Sequence, residues 1–128
     1  MKTRKTKFRA WDKKQNRMLH YDNDVTPCIT FNGVCQGESH TNVSFDYILM
    51  QYTGLKDKNG KEIYEGDIIN AEETTFESGV YNWEIFFDDG MFVAKTKKFD
   101  TRTALFDLVH FGEAKIIGNI YENPNLLK

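Results

Sequence analysis

Two short turn signals constrain the fold of this chain more than any other feature. Asn59-Gly60 and Asp89-Gly90 each separate two apolar segments. An Asn-Gly or Asp-Gly pair in this setting is the strongest short-range signal of a β-hairpin, because both central positions of a type I′ turn need a positive φ. The chain is therefore predicted to be mainly β.

Apolar segments typical of strands lie around these turns and near both ends of the chain. The predicted strands cover residues 8–11, 17–21, 47–52, 61–69, 80–87, 91–93 and 115–121. Residues 12–16 are polar and predict the turn of a first hairpin. Gly66-Asp67 predicts a bend, because Gly tolerates unusual dihedral angles and Asp can accept hydrogen bonds from nearby backbone N–H groups.

Residues 101–110 carry the one pattern that favours a helix. Ala104, Leu105, Leu108 and Val109 follow helical spacing, and Thr101 or Asp100 could cap the first turn. Four or five short strands with one helix, from residue 50 onward, are typical of a small SH3-like barrel. Its predicted core residues are Ile63, Ile68, Trp83, Ile85, Phe92, Ile117 and Ile120.

Length and composition indicate one compact unit with two subdomains. Hydrophobic residues make up 40% of the 128 residues and aromatic residues 14%, which excludes a chain that is disordered throughout. Residues 1–48 are predicted to form an N-terminal hairpin and extension, and residues 49–128 the SH3-like barrel.

The charge of the chain is distributed unevenly. Residues 1–20 hold eight basic groups and one acid, Asp12, for a net charge of +7, whereas the rest hold 9 basic and 18 acidic groups, for −9. A basic stretch of this kind can contact an acidic surface or bind phosphates. The candidate intersubunit or nucleic-acid contacts are Lys2, Arg4, Lys5, Lys7, Arg9, Trp11, Lys13, Lys14 and Arg17.

Metal or cofactor binding is not expected from the sequence. His20, Cys28, Cys35 and His40 are candidate ligands, but zinc sites usually pair their ligands two to four residues apart. Asp57-Lys58-Asn59-Gly60 begins like a calcium loop. That loop needs a ligand at its fifth position and Gly at its sixth, but Lys61 and Glu62 stand there, so the pattern fails. Two cysteines without a secretory signal are expected to stay reduced.

Catalysis is not expected either. Glu62, Glu65 and Asp67 lie close in sequence, and paired carboxylates can do acid–base chemistry. Gly66 breaks the strand alternation that would align them, and turn geometry explains Gly66-Asp67. The sequence therefore predicts a protein that is not an enzyme and has no catalytic residues.

Two long segments resemble the YopX-like family of bacteriophage and prophage proteins. They are residues 49–69 and residues 116–127, and the opening Lys7-Phe8-Arg9-Ala10-Trp11-Asp12 also resembles the start of that family. The resemblance implies an SH3-like barrel and a phage-encoded protein with no established activity. Asn125 stands where the family often has an acid, so no carboxylate role is carried over there.

These observations lead to one functional hypothesis and one alternative. The hypothesis is a non-enzymatic accessory module that contacts a phage or host protein and forms a homo-oligomer. The alternative is a nucleic-acid-binding protein in phage replication or regulation. No apolar run approaches the length of a spanning helix or follows the basic first residues as in a secretory signal, so the expected location is the bacterial cytoplasm, away from membranes.

Overall fold

The computed structural model describes residues 5–20, 28–29, 35–36, 46–74, 78–100 and 102–128. The chain divides into two compact units, one formed by residues 5–51 and the other mainly by residues 52–128. No helix in the described part of the chain is long and apolar enough to cross a membrane.

The unit of residues 5–51 is built from short antiparallel strands. Its elements are β1 (Phe8–Asp12), β2 (Arg17–His20), β3 (Cys28–Ile29), β4 (Cys35–Gln36) and the first part of β5 (Tyr47–Lys56). Strand β1 lies between β2 and β5, so Ala10 pairs with both Leu19 and Leu49. The first predicted hairpin is confirmed, since β1 and β2 flank the polar turn at residues 13–16.

The unit of residues 52–128 holds most of the strands and the short helix. After β5 come β6 (Glu62–Tyr64), β7 (Asp67–Glu73), β8 (Gly79–Asp88), β9 (Met91–Lys95), β10 (Thr103–Ala104), α1 (Leu105–Phe111), β11 (Lys115–Asn119) and a 3-10 helix (Pro124–Leu127). Five strands form an antiparallel sheet in the order β10-β9-β8-β7-β11. The antiparallel sheets of the chain include a curled half-barrel. A mainly β fold with one short helix is confirmed, and the closed SH3-like barrel stays a prediction.

The two hairpin turns predicted from the sequence differ in geometry. Asp89 and Gly90 have φ of +50° and +79° between the paired residues Asp88 and Met91, as a type I′ turn requires. At the other turn Gly60 has φ of +82°, whereas Asn59 has no positive φ.

The type I′ prediction for Asn59-Gly60 is therefore wrong, although the hairpin itself forms. The Asp57 N–H donates to the Lys61 carbonyl at 2.8 Å, and the Gly60 N–H donates to the Asp57 carbonyl at 3.0 Å. These bonds enclose a three-residue loop that ends in a left-handed Gly, which is the next most common hairpin connection.

The core of this unit lies between the sheet and α1. Trp83, Ile85 and Ile63 are fully buried with Leu105 from the helix, and the Trp83 Nε1–H donates to the Ala71 carbonyl at 3.1 Å. Burial is confirmed for Ile63, Ile68, Trp83 and Ile85.

Three predicted core residues, Phe92, Ile117 and Ile120, are only half-buried. Phe92 pairs with Phe87 close to the exposed turn of its hairpin. Ile117 lies where the register between β7 and β11 shifts, and Ile120 follows the end of β11. All three thus lie at the rim of the sheet, where fewer neighbours cover a side chain.

The helix begins four residues later than the sequence pattern predicts. Thr103 and Ala104 pair with β9 as strand β10, so the chain is still extended where the predicted helix would already have formed its first turn. Ala104 is the N-cap residue and makes no side-chain cap hydrogen bond. Capping by Asp100 is therefore wrong, and Thr101 lies outside the described residues.

Gly112 fixes the end of α1 against strand β7. The Glu72 N–H donates to the Gly112 carbonyl at 2.9 Å, and a Cβ on Gly112 would lie 2.5 Å from the Glu72 carbonyl oxygen and 2.9 Å from that of Leu108. Both contacts are with backbone, which cannot move aside as a flexible side chain could.

We expect Gly112→Ala to lower the free energy of unfolding by about 1–3 kcal/mol, the usual effect of overpacking. Denaturation in urea measures this change. Glu113→Gly is the matched control, because Glu113 has φ of +51° and Gly adopts that conformation without strain. A Gly112→Ala variant as stable as the parent chain would contradict the expected contact.

Candidate interaction surfaces

The turn between β1 and β2 presents basic side chains to solvent. The Asp12 carboxylate shapes this turn by accepting the backbone N–H groups of Lys14 at 2.9 Å and Gln15 at 3.1 Å. Lys13, Lys14 and Arg17 are exposed around it. We call these three residues the basic turn surface.

Two of these cations have neighbours within the same unit. The Lys14 ammonium lies 3.5 Å from an Asp46 carboxylate oxygen, and the Arg17 Nε–H donates to the Gln15 side-chain carbonyl at 3.1 Å. The Lys14 side chain is 73% exposed, so this ion pair contributes little to stability. Lys14 therefore remains accessible to a partner.

The other sequence-predicted contact residues divide by burial. Lys5 is exposed and Lys7 is half-buried. Arg9 and Trp11 are buried, with 8% and 9% of their surface exposed. Lys2 and Arg4 lie outside the described residues. The cations of the basic turn surface and Lys5 are accessible to a binding partner, but the buried Trp11 ring is not.

Large exposed apolar side chains occur in the unit of residues 52–128. In the described part of the chain they are Val80, Phe87, Met91, Phe106 and Phe111. Single exposed apolar residues are ordinary on protein surfaces, so the informative feature is what surrounds them.

One of these apolar residues, Phe111, lies at the C-terminal end of α1 beside acidic side chains. Phe111 is 67% exposed and lies one helical turn after Asp107, on the same side of the helix. Glu113 is exposed just beyond the helix end. We call Asp107, Phe111 and Glu113 the helix-end surface. Val80, 62% exposed, pairs with Glu72 on the face of the sheet opposite the one that α1 covers, so it is not part of this surface.

The remaining exposed apolar residues have aromatic neighbours. The Phe87 and Phe92 rings meet edge-to-face at 5.1 Å near the β8–β9 turn, and the Phe106 and His110 rings lie 4.0 Å apart on α1. Near the same turn Arg102 forms an ion pair with Asp88 and lies 5.9 Å from the centre of the Phe86 ring. The positive charge of Arg102 thus offsets the acid there.

The first family-like segment is held by a buried carboxylate. Asp57 Oδ1 accepts the N–H groups of Asn59 and Lys61, each at 2.9 Å, and Oδ2 accepts the Ile116 N–H at 3.0 Å. Burial raises the Asp57 pKa, but the backbone donors of Ile116, Lys61 and Asn59, with the nearby Lys61 charge, outweigh it. The net result is a pKa below the ordinary value of 3.8.

Asp67 has a similar structural role in the next turn of the same segment. Its Oδ2 accepts the Tyr64 N–H at 2.8 Å, and Gly66 has φ of +84°. The predicted Gly66-Asp67 bend is confirmed. The polar residues that stand out in this segment therefore organise turns.

The second family-like segment also folds around side-chain-to-backbone bonds. Asn119 Oδ1 accepts the N–H groups of Tyr121 at 3.0 Å and Glu122 at 2.9 Å. The Asn82 side-chain N–H donates to the Leu126 carbonyl at 2.9 Å, which ties the 3-10 helix to strand β8. This network positions the C-terminal residues on the sheet.

The described backbone places two of the candidate metal ligands, Cys28 and Cys35, on paired strands but not opposite each other. In the β3–β4 pair Cys28 lies opposite Gln36 and Cys35 lies opposite Ile29, so the register does not pair the cysteines with each other. His20 is exposed at the end of β2, and His40 lies outside the described residues. Within the residues that the structure describes, no group of three or more His, Cys, Asp or Glu could hold a metal ion.

The helix-end surface is the feature that sequence reasoning missed. The helical spacing of residues 101–110 predicts the face that holds Leu105 and Leu108, which are buried. Phe111 lies one residue beyond that pattern and three residues after Leu108, a spacing typical of the same face, so no sequence signal predicted its exposure.

Comparison with known proteins gives matches over nearly the whole chain. The family model described as YopX protein matches residues 7–128. A crystal structure of a protein from Enterococcus faecalis shares 31% identity with a TM-score of 0.67, covering 98% of this chain and 100% of that one. The YopX protein of Bacillus subtilis shares 27% identity with a TM-score of 0.61, covering 94% and 95%. No curated protein matches significantly.

Proposed function

This chain belongs to the YopX protein family, and we propose that it works as a non-enzymatic protein-interaction module that associates with further copies of itself. It would be a phage- or prophage-encoded accessory protein acting in the cytoplasm of a bacterial host. The observation that carries this proposal is the helix-end surface, where Phe111 is exposed beside Asp107 and Glu113.

A second copy is the occupant that charge complementarity favours. The basic turn surface of one copy carries Lys13, Lys14 and Arg17, and the helix-end surface of another carries Asp107 and Glu113. Exposed ion pairs contribute only about 0–1 kcal/mol each, so the buried area of Phe111 must supply most of a stable contact. The charges would set partner choice and orientation.

A non-enzymatic role is supported by the way the chain uses its buried carboxylates. Asp57 and Asp67 accept backbone N–H groups that hold turns, and a depressed pKa keeps Asp57 ionised rather than ready to transfer protons near neutral pH. These groups are explained by folding.

We propose that the strands of residues 52–128 approach an SH3-like barrel. Support comes from two links between the β5–β6 turn and the start of β11. The Lys58 N–H donates to the Ala114 carbonyl at 2.9 Å, and the Ile116 N–H donates to Asp57. These bonds bring the β5–β6 hairpin to the β11 end of the five-stranded sheet.

Self-association should depend on the helix-end surface. We expect the full chain to be oligomeric in light scattering, and Phe111→Ser to weaken association roughly tenfold or more, because this ring supplies the apolar centre of the contact. Phe87→Ser removes a ring that is 52% exposed and lies away from this surface, and it should leave association unchanged. A monomeric full chain at all concentrations would overturn the proposal.

Salt separates self-association from the alternative of nucleic-acid binding. Added salt should weaken the apolar-centred oligomer only modestly, whereas binding of a labelled DNA or RNA duplex through Lys5 and the basic turn surface should fall steeply. Light scattering and fluorescence anisotropy of the full chain, and of the variant Lys13→Gln, Lys14→Gln, whose changed side chains are exposed, distinguish the two. A salt-sensitive nucleic-acid complex formed by a monomer would favour the alternative.

A further inference from the structure

Asn59 combines a reactive sequence with a specific fold. It precedes Gly60, and both residues are exposed in the β5–β6 loop. Nothing lies within 4 Å of the place where a Cβ of Gly60 would be. In a flexible chain such an Asn-Gly pair loses ammonia readily, because no side chain hinders the backbone nitrogen of the glycine.

The reaction needs that nitrogen to reach the asparagine side chain. The Gly60 nitrogen gives up its proton to solvent base and forms a bond to the Asn59 Cγ, and the Cγ–Nδ2 bond breaks with release of ammonia. Water then opens the five-membered succinimide at either carbonyl, which leaves aspartate or isoaspartate. The balance requires only water as co-reactant.

The folded turn opposes the first step. The Gly60 N–H donates to the Asp57 carbonyl at 3.0 Å, and the Asn59 N–H donates to Asp57 Oδ1 at 2.9 Å. Ring closure requires the Asn59–Gly60 peptide to rotate until its nitrogen meets Cγ, which breaks the Gly60 bond to Asp57. The same Asp57 Oδ1 holds the Lys61 N–H, so the rotation strains the whole loop.

We infer that Asn59 is a conditional deamidation site whose reaction rate is controlled by Asp57. While Asp57 holds the loop, Asn59 is protected despite its exposure. When the loop opens, Asn59 converts, and the change is then self-reinforcing. The N–H groups of residue 59 and Lys61 must both reach Asp57 Oδ1. Isoaspartate adds a methylene to the backbone between these two groups, so they no longer fit that oxygen together.

The test follows Asn59 in the full chain by peptide mass spectrometry with isoaspartate detection at mildly alkaline pH. The sequence also contains Asn32-Gly33, so products must be assigned to individual peptides. We expect deamidation at Asn59 in native buffer to be at least about tenfold slower than in concentrated urea, as protection by a local structure implies. Equal rates in the two solvents would overturn the inference.

Two variants test the role of Asp57 itself. Asp57→Ala should raise the native rate at Asn59 towards the rate in urea, and Asp57→Asn, which keeps one acceptor oxygen, should give an intermediate rate. Circular dichroism shows whether each variant is folded, and only folded variants are compared. Asn59→Gln confirms the peptide assignment. A folded Asp57→Asn variant that deamidates at the parental rate would also overturn the inference.

Discussion

Trp83→Ala should lower the free energy of unfolding by about 3–5 kcal/mol, the largest effect expected from a single substitution in this chain. Trp83 is fully buried at the centre of the sheet and packs with Tyr81 and Phe99, whose ring centres lie 6.0 Å and 6.3 Å from its own. Truncation leaves a large cavity and also leaves the Ala71 carbonyl without its Nε1–H donor.

Denaturation followed by far-ultraviolet circular dichroism measures this effect without relying on tryptophan fluorescence. Trp83→Phe keeps a ring and removes the donor, so we expect a smaller loss of about 1–3 kcal/mol. Val80→Ala on the same strand changes an exposed side chain and should alter stability by less than about 0.5 kcal/mol. If Trp83→Ala lost less stability than Trp83→Phe, the result would contradict the central packing role of Trp83.

Asp57→Ala should be the most damaging substitution of a polar residue, with an expected loss of about 2–4 kcal/mol. The carboxylate serves three backbone donors at once, from Asn59, Lys61 and Ile116. Removing it leaves the Ile116 N–H without its partner and breaks one of the two links between the β5–β6 loop and the start of β11. Asp100→Ala, at an exposed aspartate, should change stability by less than about 0.5 kcal/mol.

The lowered pKa of Asp57 makes its contribution dependent on pH. The unfolded chain protonates this carboxyl near 3.8, whereas the folded chain protonates it at lower pH. The contribution is therefore fully present above pH 3.8 and is lost as pH falls through the folded pKa. Urea denaturation from pH 6 to pH 2 should show this loss in the parent chain. The difference in the free energy of unfolding between the parent chain and Asp57→Asn should therefore shrink across the acidic part of that range. A constant difference would contradict the linkage.

The proposed function and the deamidation inference rest on separate parts of the chain. Self-association depends on exposed side chains near the end of α1, whereas the reactivity of Asn59 depends on a loop held by Asp57. Failure of either experiment would leave the other proposal standing.

Local sequence determined the elements whose signals depend on neighbouring residues alone. Asp89-Gly90 formed the type I′ turn because both residues tolerate positive φ, and Gly66-Asp67 formed its bend because the carboxylate reaches a backbone N–H three residues away. Alternation of apolar residues likewise identified β8, where Trp83 and Ile85 are buried.

Tertiary structure decided what depended on distant residues. Pairing of Thr103–Ala104 with β9 delayed the start of α1, because these two residues are held in an extended strand conformation by β9 and cannot join the first helical turn. The Asp57 carboxylate gained its third donor from Ile116, fifty-nine positions along the chain, which no local pattern could reveal. Burial of Arg9 and Trp11 and exposure of Phe111 were set in the same way, because a side chain's exposure depends on which distant segments cover it.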